Sequence, residues 1–450
     1  MKFQNTLGVS SSHFSPDCTP LIFLIKDRIF LRVWGKSCTF APVFKRLVIF
    51  LCFFLLSVVS CKLSITLAQQ DTLRVSLLTC SPGQEVYSLY GHTAIRVQVP
   101  KDSIDEVFNY GVFDFRKPHF IWHFVLGQTD YMIEPLPWKY FIIDYDRRGS
   151  SITEQELNLT PSEANCLLAA LIENCQPENR EYRYSFLYNN CTTKVRDMVE
   201  QVIVGRIQYP NTLPHLSARE ILHHYTAQHP WAQEGNDLLL GSEVDTIMSE
   251  RAAMFIPENM MQAFDGAFIR NGKGEMRPLV RDKKVLLEAK EQVVESEFLL
   301  SPLQVMLCFG ALCLFILLLE AWLGRHFWLW DVLILLLQGA AGTLLCFMSF
   351  FSEHPAVDSN WQIWLLNPIY FIGIPLVIKA ATRHKTTLWF AFYFAVLALF
   401  LLFSPWIPQV FAKITVPLAL CLHTRPISYY LVTEKRGKGE KIKKTTRNKR

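Results

Sequence analysis

A histidine opening a strand pattern, in Tyr90-Gly91-His92-Thr93-Ala94-Ile95-Arg96-Val97, precedes by about a hundred residues a cysteine opening a helical pattern, in Tyr188-Asn189-Asn190-Cys191-Thr192-Thr193-Lys194. A thiol at a helix N-terminus sits at the positive end of the helix dipole, which favours thiolate, and a histidine brought beside it completes a nucleophile and base pair. Cys191 is therefore the candidate nucleophile and His92 the candidate base. Attack on an ester also needs donors for the oxyanion and a group that orients the imidazole. The backbone amide of Cys191 can supply the first, aided by the side chain of Asn189 or Asn190. For the second, Asn109 in Phe108-Asn109-Tyr110-Gly111 and Asp114 a few residues on both qualify, and the sequence does not choose between them. The competing readings are a hydrogen-bonded histidine at a strand edge and a Cys191 consumed in a disulfide.

The elements that must position this pair are legible around it. Residues 73–78, 93–99 and 107–115 are short runs rich in β-branched and aromatic side chains, separated by Ser81-Pro82-Gly83 and Pro100-Lys101-Asp102-Ser103. Thr160-Pro161-Ser162-Glu163 is a helix start with N-cap, first-turn proline and capping box, and the helix should run to about Cys175. The helix that begins at Cys191 places Val195, Met198, Val199, Val202 and Ile203 on one face. Residues 217–298 read as mostly helical, and Met260, Met261, Phe264, Ala267 and Phe268 within 257–269 form a stripe best read as core.

The 450-residue chain is 50% hydrophobic yet 19% charged, which fits an exported domain joined to membrane spans. Apolar runs near 299–322, 327–351, 361–378, 388–403 and 410–431 are each close to the roughly 20 residues of a crossing, and Lys413, His423 and Arg425 interrupt the last. Lys and Arg concentrate in alternate loops and in the tail, where they make up nine of the last sixteen residues, while 352–360 and 404–409 carry none. The positive-inside rule then puts the tail in the cytoplasm, and residues 71–298 outside together with the loop containing His354, a possible accessory group. The net charge of +5 resides in that tail and calls for no nucleic-acid partner.

The apolar run 47–67 follows Lys45-Arg46 and ends at Ala68-Gln69-Gln70, as a secretory signal or uncleaved anchor does. Cys61 within it offers a competing lipoprotein reading. Residues 1–42 resemble no targeting element, so translation is expected to begin near Val43. Of the twelve cysteines the exported part keeps Cys80, Cys166, Cys175 and Cys191, and a domain of this size can bury a core without disulfides. The chain has no zinc spacing around His119, His123 or His223-His224, no phosphate loop and no Gly-x-Ser-x-Gly elbow, and neither metal nor cofactor is expected.

The order of a strand histidine before a helix-opening cysteine resembles the permuted papain-like fold of the lecithin-retinol acyltransferase and NlpC-like superfamily. More closely, the His92 segment, Phe108-Asn109-Tyr110-Gly111-Val112-Phe113-Asp114-Phe115, Tyr188-Asn189-Asn190-Cys191 and Phe255-Ile256-Pro257-Glu258, followed by a membrane bundle, resemble the Bacteroides-type lipoprotein N-acyltransferases. The resemblance covers about residues 71–430. It implies an α+β permuted papain-like thiol-enzyme domain at 71–298, an all-α transmembrane bundle at 299–432 and a basic cytoplasmic tail at 433–450, after an N-terminal extension and signal segment at 1–70. It further implies ping-pong acyl transfer in the periplasmic leaflet of the inner membrane, from a phospholipid donor to a diacylated lipoprotein acceptor, with His92 and Cys191 as the inherited pair. A membrane-bound peptidoglycan amidase or endopeptidase would use the same dyad on an amide, and a non-enzymatic envelope scaffold would leave Cys191 idle.

Overall fold

The structure is a computed structural model that describes residues 73–290 and 298–447 apart from 115, 384 and 385. The expected signal segment and translation start lie outside the described residues.

The strands β1 (Arg74–Cys80), β2 (His92–Val99), β3 (Ile104–Val112), β4 (Asp130–Pro137), β5 (Ile152–Leu157) and β6 (Glu181–Arg183) follow one another in the first half of the cysteine domain. They are joined by β10 (Val280–Leu287) into an antiparallel sheet ordered β10-β5-β1-β2-β3-β4-β6. The strands β7 (Arg206–Gln208), β8 (Phe268–Arg270) and β9 (Met276–Pro278) form a small second sheet. Alternation along central β1 serves two cores. Val75 and Leu77 face the larger one, and Leu78 and Cys80 the smaller.

Helices cover both faces. The larger core is closed by α3 (Pro161–Asn174), α4 (Cys191–Val202), α5 (Ala218–Thr226) and α8 (Pro257–Asp265), through Leu167, Val199, Ile221 and Phe264. On the other face α2 (Trp138–Arg148) contributes Phe141 and Tyr145. Short α1 (Phe120–Val125) leads into β4, while α6 (Pro230–Leu239) and α7 (Glu250–Ala253) complete the helical part. The Thr160 capping box and Pro161 start α3 as the sequence requires, and Cys175 is its C-cap. Of the expected 257–269 stripe, Met260, Phe264 and Ala267 are fully buried core, whereas Met261 is half-buried and Phe268 is exposed at the start of β8. Residues 217–298 are less helical than expected, because β8, β9 and β10 occupy much of 268–287. Charged β10 reads poorly as a strand because it is a sheet edge, with an exposed middle paired to β5 on one side.

The second half contains α9 (Pro302–Leu323), α10 (Trp328–Phe351), α11 (Tyr370–Arg383), α12 (Trp389–Phe403) and α13 (Thr415–Arg447). Among the described residues, three helical stretches, Pro302–Leu323, Trp328–Phe351 and Trp389–Trp406, are long and apolar enough to cross a membrane, where five such spans were expected. The third expected span is divided into a 3₁₀ turn at Trp361–Trp364 and the 14-residue α11, which contains Pro375. The fifth belongs to a 33-residue helix that carries Arg425 and Pro426 and continues unbroken through much of the basic tail, so no boundary falls at 432. Arg425 is buried against Glu320 of α9 at 2.9 Å and Asp331 of α10 at 2.7 Å, which is how an apolar bundle accommodates a guanidinium.

The loops expected on the outer side pack on the cysteine domain. Gly241 N–H donates to Ala356 O (2.7 Å), Ser242 N–H to Ser359 O (3.0 Å), and Gln409 Nε2 to Leu240 O (3.2 Å). Lys435 and Arg436 bond to carbonyls of Ala321, Trp322 and Gly324, at the α9 end joined to α10.

Candidate active site

Cys191 is the first residue of α4, and its position is fixed by the residue before it. Asn190 caps the helix, its Oδ1 accepting from Thr192 N–H (2.8 Å) and Thr193 N–H (2.9 Å). Its Nδ2 donates to Phe186 O (2.7 Å) and Phe255 O (2.9 Å), so both ends of the amide are committed to holding the turn. Asn189 donates to Arg183 O at 2.6 Å and is half-buried. Among the sequence-selected oxyanion donors, the backbone N–H of Cys191 has the helix-start position that lacks an intrahelical acceptor.

His92 is the first residue of β2, paired in register with Cys80 of β1. Its Nε2 lies 2.5 Å from Asn109 Oδ1 on β3. A carboxamide oxygen only accepts, so Nε2 carries the hydrogen and Nδ1 is left for the hydrogen bond to the Cys191 thiol. The imidazole stacks on Tyr145 of α2, with centroids 6.4 Å apart and planes at 18°. The Thr93 and Thr192 hydroxyls, 3.3 Å apart, join β2 to α4 directly behind the pair.

Burial opposes charge on Cys191, but the adjacent His92, through its charge and hydrogen bond, together with the Thr93 N–H, outweighs it and lowers the thiol to about 7. Burial likewise opposes charge on His92, and the Cys191 sulfur and Asn109 overcome it to raise the imidazole. Cys80 lies close to the same histidine and shows the opposite balance, since burial pushes its thiol far up. Cys80, Cys166 and Cys191 are free thiols.

The remaining sequence-selected residues lie elsewhere. Asp114 is held by the Arg116 guanidinium at 2.9 Å, which keeps its carboxyl below the ordinary range, and it does not meet His92. His354 donates from Nε2 to Phe124 O at 2.6 Å and sits edge-on to the Phe124 ring, fastening the loop after α10 to α1.

Sequence reasoning missed Gly111. Continuing the β2–β3 register places it across from His92, at the strand irregularity between Tyr110 and Val112. Its φ is +90°, and a Cβ there would lie 3.4 Å from Cys191 Cβ and 3.9 Å from His92 Cε1. An isolated glycine within a strand pattern is the usual sign of such a close approach. Tyr131 and Tyr184, stacked at 4.0 Å, were also missed. They line the thiol's surroundings, and the Cys191 charge adds to the burial that raises both phenols. No signal marks them, because their convergence on Cys191 depends on the fold.

A thiol at about 7, an imidazole hydrogen-bonded to it and an amide orienting that imidazole can carry out nucleophilic acyl chemistry. Among the described residues, no group of three His, Cys, Asp or Glu is arranged to hold a metal ion.

The Lnb N-terminal periplasmic domain profile matches residues 65–224 and the Lnb transmembrane domain profile matches residues 293–437. No curated protein and no solved structure matches the chain significantly. The two profiles fall in family order on the α+β half that holds Cys191 and on the helical half that follows it, so the chain has the Lnb-type architecture and belongs to that family of Bacteroides lipoprotein N-acyltransferases.

Proposed function

We propose that this protein moves an acyl chain from a phospholipid, through a thioester on Cys191, to the α-amine of a diacylglyceryl-cysteine lipoprotein. The Lnb architecture makes it a lipoprotein-modifying membrane protein. The observation that carries the finer reading is the chain of contacts from the Cys191 thiol through His92 to Asn109, in a domain fastened to apolar helices. The permuted papain-like assignment rests on the same order of elements: histidine strand, asparagine strand, cysteine helix.

In the first half-reaction the Cys191 thiolate attacks the ester carbonyl. The S–C bond forms, the acyl C–O bond breaks, and His92 gives its proton to the departing lysophospholipid oxygen. The developing oxyanion is taken by the Cys191 backbone N–H, with Asn190 holding that turn in place. In the second half-reaction the neutral amine attacks the thioester, the C–S bond breaks, and the amine's proton passes to His92 as the thiolate departs. Both substrates are anchored by acyl chains, each buried CH₂ contributing about 0.8 kcal/mol, so the enzyme must work at the bilayer. We place residues 71–298 in the periplasm and the helices after 298 in the inner membrane, in line with the loop charges.

The test is to give purified protein a phospholipid without acceptor. A thioester on Cys191 should accumulate, removable by neutral hydroxylamine, and a diacylglyceryl-cysteine peptide with a free amine should discharge it into an amide. Cleavage of muropeptides without a lipid adduct would replace this reading with a peptidoglycan hydrolase. Absence of any adduct, with full lipoprotein N-acylation in a Cys191→Ala strain, would leave a scaffold.

A further inference from the structure

A groove of ≈ 770 Å³ separates α1 from α10, a volume within the usual range for ligand sites. One wall is Phe120, Ile121 and Trp122, the other Ala340, Leu344 and Phe347, which recur on one face of α10. Ile121 is 78% exposed and Trp122 54% exposed, a costly arrangement in water and a natural one in a bilayer. The ring of Trp122 lies 5.3 Å from that of Phe347.

The depth of the groove is set by α10. That helix ends at Phe351, where the loop that packs on the cysteine domain begins. At 1.5 Å per residue, Phe347 and Ala340 lie roughly 6 and 16 Å along the helix from that end. The hydrocarbon core is about 30 Å thick, so the groove spans the acyl region of the leaflet nearer the cysteine domain.

A continuous aromatic wall runs from the thiol to this groove. Phe113 stands two residues beyond Gly111, the residue that faces Cys191 and His92. From Phe113 the rings pass to Phe120 at 6.2 Å in the groove, and to Tyr131 at 4.8 Å and on to Tyr184 around the thiol. Gly127 permits the geometry. It has φ +71°, and a Cβ would collide with the backbone of Glu353 and His354, so only glycine lets the end of α1 lie against the α10 loop.

We infer that the groove between α1 and α10 holds the acyl chain being transferred, running from Cys191 along Phe113 and Phe120 into the leaflet beside Leu344. The inference rests on the acyl-transfer reading and adds to it where the chain lies. The occupant is a long acyl chain, because the groove is mostly apolar, lies at acyl depth and is linked to the thiol's surroundings through the ring contacts of Phe120, Phe113 and Tyr131. An acceptor polypeptide would not descend along a lipid-facing helix.

The test uses the full-length protein in phospholipid vesicles, with a donor phospholipid whose acyl chains end in a diazirine. After loading and removal of free lipid, illumination should join the Cys191-bound chain to peptides containing residues 340–347 or 117–125. In addition, Leu344→Trp and Ala340→Trp should lower loading from a hexadecanoyl donor at least tenfold relative to loading from a butanoyl ester, which reports that the thiol site is still folded. Loading with crosslinks mainly to α9 or α12, or equal loss for both chain lengths, would overturn the groove and leave the acyl-transfer reading standing. No loading of wild-type Cys191 would overturn both.

Discussion

His92 gives its Nε2 hydrogen to Asn109 at 2.5 Å, and this single bond turns Nδ1 toward Cys191. The tautomer is thereby fixed before any substrate arrives. Asn109→Ala is expected to lower thioester formation by roughly tenfold or more, or about 1.4 kcal/mol of transition-state stabilisation, while the protein remains at wild-type levels in the membrane. Single-turnover loading kinetics measure it. Undiminished loading would show that the ring is oriented by Tyr145 stacking alone.

Cys191→Ala and Cys191→Ser should both abolish transfer without unfolding the domain, since Asn190 and not Cys191 holds the helix start. His92→Ala should lose nearly as much, because members of a catalytic unit do not contribute additively. Loading assays beside far-ultraviolet circular dichroism separate chemistry from folding.

The pH dependence follows from the direction of the two shifts. Cys191 is lowered to about 7, so the thiolate is present above that value and is lost as the pH falls through it. His92 is raised, so its proton persists above the ordinary histidine range and is lost at higher pH. Thioester formation should therefore have an acid limb near 7, while discharge should continue to rise toward the amine value of about 8. In His92→Ala the partner that lowers the thiol is gone, and the midpoint for iodoacetamide alkylation of Cys191 should move above about 8.5. An unmoved midpoint would contradict the pairing.

Gly111→Ala places a methyl group between Cys191 and His92 at a φ of +90°. Backbone strain of about 1–3 kcal/mol is expected, with slower loading, even though the methyl contacts themselves are ordinary. Thermal unfolding and loading measured on the same preparation should both change. Loss of stability with full loading would mean that the glycine serves the strand alone.

Arg425→Ala leaves the buried Glu320 and Asp331 with His326 as their remaining basic neighbour and without the guanidinium, and a loss of about 3–5 kcal/mol is expected. The triple replacement Arg425→Met, Glu320→Gln, Asp331→Asn should recover much of it. Thermal stability in detergent, compared across the variants, decides.

What the sequence disclosed is what local chemistry determines. The Thr160 capping box announces α3 because every participant lies within four residues, and the helix opening at Cys191 is read in the same way. The choice of Asn109 over Asp114 depends on which residue the β2–β3 register brings to His92, and pairing across a sheet leaves no mark in either segment alone. β10 escaped because Arg281, Asp282, Lys283 and Lys284 suit a strand only where one edge meets water. The interrupted third span escaped because its hydrophobicity continues across the helix interruption at 365–369, where Pro368 stands. The roles of Gly111 and Gly127 are visible only when the approaching backbone or side chain is in place.

The attachment of residues 241 and 242 to the loop after α10 is made by main-chain groups, Gly241 to Ala356 and Ser242 to Ser359, and a Cβ at Gly241 would stand 2.7 Å from the carbonyl carbon of Ser359. A splice of this kind fixes the altitude of the sulfur above the helices independently of side-chain identity. The thiol cannot stoop to one substrate and rise to another. On the proposed acyl-transfer reading, donor and acceptor would both have to present their reacting atoms at one height and reach it by sliding in the membrane plane, so encounter would become a two-dimensional search toward a stationary point.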